Sequence, residues 1–209
     1  MKCADALWAL RIFCASMLFG SILSAHGQEA AEPELATPYT RFTRLTVEDG
    51  LSQGEVTTVL QDRRGFVWIG TRGGLNRFDG YDFTIYQYDP DDPSSLSNND
   101  IADLFEDTEG KIWIATSGGE VNCYNPLTDV FTSYPQTSGA NNPMKYDMIF
   151  TVLQDSRGRI WYGGPPGFSV LDTESGITRD YVRNPGAPNS HGGGAIWQFM
   201  EDDSGTMWL

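Results

Sequence analysis

Four stretches of this chain repeat one short pattern, and recurrence at near-constant spacing restricts the fold more than any single motif does. The stretches run from Val56 to Trp68, Ile101 to Trp113, Ile149 to Trp161 and Ile196 to Trp208, and each contains Asp-x-x-Gly-x-ψ-Trp with ψ apolar. The four tryptophans lie 45, 48 and 47 residues apart. A period of about 40–50 residues built from strand-like segments marks a β-propeller, one blade per repeat. The predicted fold class is therefore all-β: a propeller of four-stranded antiparallel blades, with three complete blades, an N-terminal closing strand and a truncated fourth blade. Rings of this kind close with about four to eight blades, so the sequence is expected to be the N-terminal fragment of a longer protein.

Each unit predicts four strands. A first strand such as Ile101 to Phe105 leads into the Asp-x-x-Gly turn, where Asp can bond the backbone ahead and Gly tolerates positive φ. The second strand, such as Ile112-Trp113-Ile114-Ala115-Thr116, is apolar without alternation, so both of its faces should be buried. A Gly-Gly turn, a third strand ending on Phe78 or Tyr124, and a hairpin to an outer strand (Phe83 to Tyr86, Val130 to Tyr134, Ile177 to Tyr181) complete the unit. The expected blades are approximately 54–88, 99–134, 147–182 and 194–209, the last partial. Tyr39 to Thr46 resembles an outer strand able to close the ring. The recurring residues are assigned structural roles: Asp62, Gly65 and Trp68; Asp107, Gly110 and Trp113; Asp155, Gly158 and Trp161; Asp202, Gly205 and Trp208. A buried indole contributes about 150–250 Å² of packed surface, so these rings are read as core anchors before sugar platforms.

Residues 1–27 have a positive start, an apolar run from Ile12 to Leu23 and small residues before Gln28, which predicts a secretory signal peptide cut after Gly27 or Ala25. An uncleaved anchor is the competing reading. Residues 28–38 read as a linker and 39–209 as the propeller. Cys3 and Cys14 fall in the leader and leave Cys123 alone, so no intrachain disulfide or zinc cluster can form in the remainder. A formal charge of −14 argues against a basic phosphate-binding face, and no nucleic-acid partner is expected.

The repeats resemble the two-component regulator propeller repeat. Repeat one carries the pattern almost throughout: Asp62, Gly65, Trp68, Gly70, Thr71, Gly73, Gly74, Leu75, Phe78 and Asp79. Repeat two departs at Ala115 and adds Glu120, and repeat three has Gly164-Pro165-Pro166-Gly167 in place of Thr-x-Gly-Gly, so that loop is expected to be remodelled. The resemblance implies a periplasmic sensor region, joined in the complete protein to an inner-membrane helix and to a histidine kinase or diguanylate cyclase output. It also implies a homodimer when complete and a small extracytoplasmic ligand such as an oligosaccharide.

No Gly-x-Gly-x-x-Gly, phosphate loop or Gly-x-Ser-x-Gly elbow occurs. No catalytic residue, metal ligand or cofactor is predicted for this region. Asp89-Pro-Asp91-Asp92 is read as a solvated turn in preference to a calcium loop. The face carrying the loops between second and third strands should surround the channel mouth, and Arg72, Asn99 and Tyr146 are the predicted ligand-binding residues there. The alternative function is a secreted propeller glycosidase or a carbohydrate-binding or adhesion module, suggested by Asp203-Ser-Gly205-Thr-Met-Trp208, half of an Asp-box.

Overall fold

The computed structural model describes residues 42–134, 148–182 and 194–209. The predicted leader 1–27, the linker 28–38 and the first residues of the expected closing strand lie outside these, as do Tyr146 and His191.

Among the described residues, every regular element from Val56 onward is a strand. The first sheet takes β1 (Val56–Gln61), β2 (Val67–Thr71), β3 (Gly74–Phe78) and β4 (Phe83–Tyr86) in that order. The second takes β5 (Ile101–Glu106), β6 (Ile112–Thr116), β7 (Val121–Asn125) and β8 (Val130–Tyr134). The third takes β9 (Thr151–Gln154), β10 (Ile160–Gly164), β11 (Gly167–Asp172) and β12 (Ile177–Val182). A fourth begins with β13 (Met200–Glu201) and β14 (Met207–Trp208). All pairings are antiparallel, in equivalent register. These are the blades of a β-propeller, three complete and one begun.

Successive blades bury their faces against each other, which is why β6 carries no polar alternation: all five of its residues are buried. Between blades one and two lie Trp68, Leu75, Leu96, Ile101, Leu104, Ile112 and Tyr124. Between two and three lie Trp113, Val121, Cys123, Ile149, Val152, Ile160 and Tyr162. Phe168, Val170, Ile196 and Phe199 join three to four. The Gly of the Trp-ψ-Gly motif answers this packing. A Cβ on Gly70 would stand 2.8 Å from Cγ2 of Ile101 in the next blade and 2.6 Å from Cγ2 of Thr58. Gly163 meets Ile196 in the same way, at 3.1 Å.

The Pro165-Pro166 connection is remodelled as expected, with a cis bond between its prolines, but the strand register on either side is kept. Gly164 pairs with Gly167 as Thr71 pairs with Gly74, each across two residues, because the glycines on either side still permit the tight reversal. The longer connection belongs to blade two, where the Thr116 amide reaches the carbonyl of Glu120, the extra residue. Of the expected closing strand only Phe42 to Thr46 are described, and the last blade of the ring, its expected partner, is not among the described blades. Phe42 to Thr46 is not in a strand and leads into a 3₁₀ turn at Val47–Asp49. A closing strand pairs with a third strand that lacks its own outer neighbour, and β3, β7 and β11 already hold β4, β8 and β12.

Candidate functional site

The recurring aspartate does two jobs in one turn. Asp107 Oδ1 accepts the amides of Glu109 and Lys111, both at 2.9 Å, and Oδ2 accepts Nε1–H of Trp113 at 2.8 Å. Asp62 holds Arg64, Phe66 and Trp68 identically, Asp155 holds Arg157, Arg159 and Trp161, and Asp202 holds Ser204, Thr206 and Trp208. The carboxylates of the first three turns are buried. A buried indole N–H needs an acceptor, and a residue six positions upstream, folded back by the turn, supplies it. Trp68 and Trp113 are buried and Trp161 is half-buried, while Trp208 is 57% exposed, with no following blade against it among the described residues.

A second link runs between blades. The residue just before each aspartate reaches back to the preceding turn. Glu106 accepts the Arg63 amide at 3.0 Å, Gln154 that of Thr108 at 2.9 Å, and Glu201 that of Ser156 at 2.7 Å. Arg63 also pairs with Glu106 at 2.7 Å and donates to the carbonyls of Thr108 and Asp107. At the other end of blades one and two, buried Asn76 and Asn122 accept the amides of Ser52 and Ser97 at 2.8 and 3.0 Å. These bonds tether the segment that enters each first strand.

Hydrogen bonding sets the proton affinities of these groups. Burial alone would raise Asp155, but bonds from Trp161 and Arg159 outweigh it and hold its carboxyl below the usual range. The Ser204 hydroxyl, the Trp208 indole and the Thr206 amide bring Asp202 down to about 2. Asp103, on the bulged start of β5, behaves oppositely. Burial raises it although the amides of Val152 and Leu104 and the hydroxyls of Thr151 and Thr58 all bond it, so one carboxyl ties the first strands of three blades together. Burial likewise pushes the Cys123 thiol up to about 12, away from nucleophilic use.

Of the predicted ligand-binding residues, Arg72 and Asn99 each hold a partner within the fold. Arg72 is exposed and pairs with Glu55 at 3.4 Å. Asn99 spends its carbonyl oxygen on the Tyr88 amide at 2.7 Å, fixing the connection between blades one and two. Tyr146 lies outside the described residues. Asp89 and Asp92 cap their own turn, accepting from Asp91, Ser94 and the Ser94 hydroxyl. In the Asp-box-like stretch, Asp202 rather than Asp203 makes the recurring bonds. The motif carboxylates therefore hold turns together, and their oxygens are already occupied by donors.

The family model of the two-component regulator propeller matches residues 50–73 and 95–118, which run from the tethered entry segment through the second strand of blades one and two. A histidine kinase of Formosa agariphila is 50% identical over 56 residues, 27% of this chain and 4% of the relative. An extracellular domain assigned to a hybrid two-component system of B. thetaiotaomicron superposes with a TM-score of 0.60 at 26% identity, over 74% of this chain and 22% of that one. Virginiamycin B lyase from Staphylococcus aureus, catalytically inactive in that structure, superposes with a TM-score of 0.56 at 15% identity, covering 76% of this chain and 50% of the lyase. That last likeness is one of fold alone. The chain thus spans a minor part of the two-component relatives it matches. In blades one and two, the stretches 50–73 and 95–118 are thus similar to the two-component regulator propeller repeat.

Proposed function

We propose that this chain is part of the extracytoplasmic ligand-sensing propeller of a two-component sensor. Its occupant would be a small ligand such as an oligosaccharide, and its output a histidine kinase. The observation that carries the reading is the 50% identity to a histidine kinase over 56 residues, supported by the two matched repeats and by the extracellular placement of the B. thetaiotaomicron domain. The region binds rather than catalyses in this reading, since the recurring carboxylates are committed to amides and indoles. Ligand binding biases one arrangement of the propeller, and the membrane segment of the whole protein carries that bias inward. The test is autophosphorylation of the full-length protein in vesicles, with a panel of neutral and acidic oligosaccharides applied to the propeller side. A change in phosphorylation rate with one of them supports the reading. A full-length protein without kinase activity, or one active yet indifferent to the whole panel, overturns it.

A further inference from the structure

One departure within the repeat stands at a cleft between blades two and three. Opposite each motif tryptophan on the third strand stands Arg77 in blade one, Cys123 in blade two and Val170 in blade three. Arg77 fills its junction: its guanidinium lies 5.1 Å from the Phe66 ring centre, 5.9 Å from Trp68 and 5.8 Å from Tyr86, and donates to Tyr124 Oη at 3.2 Å. In blade two the short Cys123 replaces it, and Lys111 stands where Phe66 did. A cleft of about 270 Å³ lies here, walled by blade two and closed by Gln154, Thr173 and Glu174 of blade three. Both walls are complete, described blades.

Its lining is specific in chemistry. The rings of Trp113 and Tyr134 lie 5.2 Å apart and tilted by 35°, giving an apolar edge. The Tyr86 hydroxyl, equivalent to that of Tyr134, is shared with Tyr124 and Asp129. Among the described residues nothing bonds the Tyr134 hydroxyl. The Thr132 hydroxyl and the Asn125 amide nitrogen, which no described residue bonds, add donors and acceptors on the same wall. Lys111 is neutralised by Glu109 at 2.6 Å, and Asp107 and Glu174 leave the cleft net acidic, which repels anions. Mixed donors and acceptors beside an aromatic edge, with no free cation, suit a neutral polyhydroxylated ring.

We propose that this cleft is a binding site for a neutral monosaccharide unit; the proposal deepens the sensing reading by placing its ligand. The test is saturation-transfer NMR of the 209-residue chain with glucose, galactose, xylose and N-acetylglucosamine, alongside Cys123→Arg, which installs the residue that fills the first junction. Transfer to the ring protons of at least one sugar, abolished by Cys123→Arg, is expected. Tyr134→Phe removes a hydroxyl that no described residue bonds, leaves the described hydrogen bonds intact, and should weaken binding about three- to tenfold. Silence across the four sugars, response only to added calcium, or a signal that survives folded Cys123→Arg or is unchanged by Tyr134→Phe overturns the proposal. Because this readout involves no kinase, failure of the phosphorylation test alone would leave the cleft standing.

Discussion

The aspartate–tryptophan bond inside each turn can be isolated by a double-mutant cycle on Asp107 and Trp113. Both side chains are buried, and their contact is a single 2.8 Å bond from an indole N–H to a carboxylate. Asp107→Ala removes three accepted bonds. The amides of Glu109 and Lys111 lie in an exposed turn and can turn to water, but the indole N–H cannot. A buried donor left unpaired costs about 1–3 kcal/mol, and bonds to a charged group contribute about 1.5–3 kcal/mol, so the total loss should be about 3–4 kcal/mol. Trp113→Phe keeps most of the packing and strands Oδ2, at about 2–4 kcal/mol. Since each change removes the same bond, the double variant should be less destabilised than their sum by about 2 kcal/mol. Urea unfolding followed by far-UV circular dichroism measures this without relying on the altered indole. The fourth turn is the internal control: Trp208 is 57% exposed, so the Asp202–Trp208 cycle should show a smaller coupling. A coupling under about 0.5 kcal/mol in blade two, or equal couplings in both turns, would refute the argument that burial makes this bond structural.

Acid should loosen the turns within a defined window. Asp155 and Asp202 sit below their ordinary 3.8 when folded, so the stability they supply is present above about pH 4 and fades as pH falls towards 2. Asp155→Asn should flatten that limb of the thermal-melt profile, and an unchanged limb would contradict it. Asp103 has the opposite sign: its folded carboxyl is raised, so its contribution is full below pH 3.8 and is lost as pH rises through the folded value. Asp103→Leu should remove that rising-pH decline, read from the same melts. A Cβ on Gly167 would lie 2.3 Å from the Tyr181 carbonyl oxygen, so Gly167→Ala should abolish cooperative melting. Gly158→Ala, whose Cβ would meet only Gln154 Nε2 at 4.0 Å, sits at φ +80° and should cost only about 1–2 kcal/mol. Glu106→Ala breaks the link to blade one at a half-exposed arginine and should cost about 1 kcal/mol in urea unfolding. Cys123, buried and pushed up to about 12, should resist iodoacetamide at pH 8 until the chain is unfolded, with the Cys123 peptide followed by mass spectrometry.

Much of the architecture was legible because it follows from period and burial. Strands with no polar alternation, such as Ile112 to Thr116, have to be covered on both sides, and a blade between two blades does this. The Asp-x-x-Gly turn was legible from local chemistry, but its bond to tryptophan was not drawn from the sequence. The signal was available: an acid and an indole six residues apart, four times over, one an acceptor and the other a donor needing one. The interblade link was also missed, although Gln61, Glu106, Gln154 and Glu201 occupy one column before the aspartate, each with a carbonyl-type oxygen. The ligand residues fared differently. Arg72 and Asn99 were chosen from the position of their loops, yet what each side chain bonds depends on partners distant in sequence or in another loop, Glu55 and Tyr88. The cleft at Cys123 was equally hidden, since its size depends on which residues another blade brings opposite, not on any motif.

These observations separate the repeat into two parts with different tolerance. The aspartate, tryptophan, turn glycine and small residue after the tryptophan are fixed by contacts that each blade must make with itself or with the next one. A Cβ on Gly70 already crowds Ile101, and even the departure to Ala115 adds only a methyl. The third-strand position beside the tryptophan also faces the next blade, but it meets that demand with side chains of different size and charge. Arg77, Cys123 and Val170 occupy it in turn while the strand pairing around them stays in register. A ring whose backbone is held by the first set can therefore exchange the second without refolding, changing what lines the junction. For the cleft proposed above, this is the position where the lining can change at least structural cost.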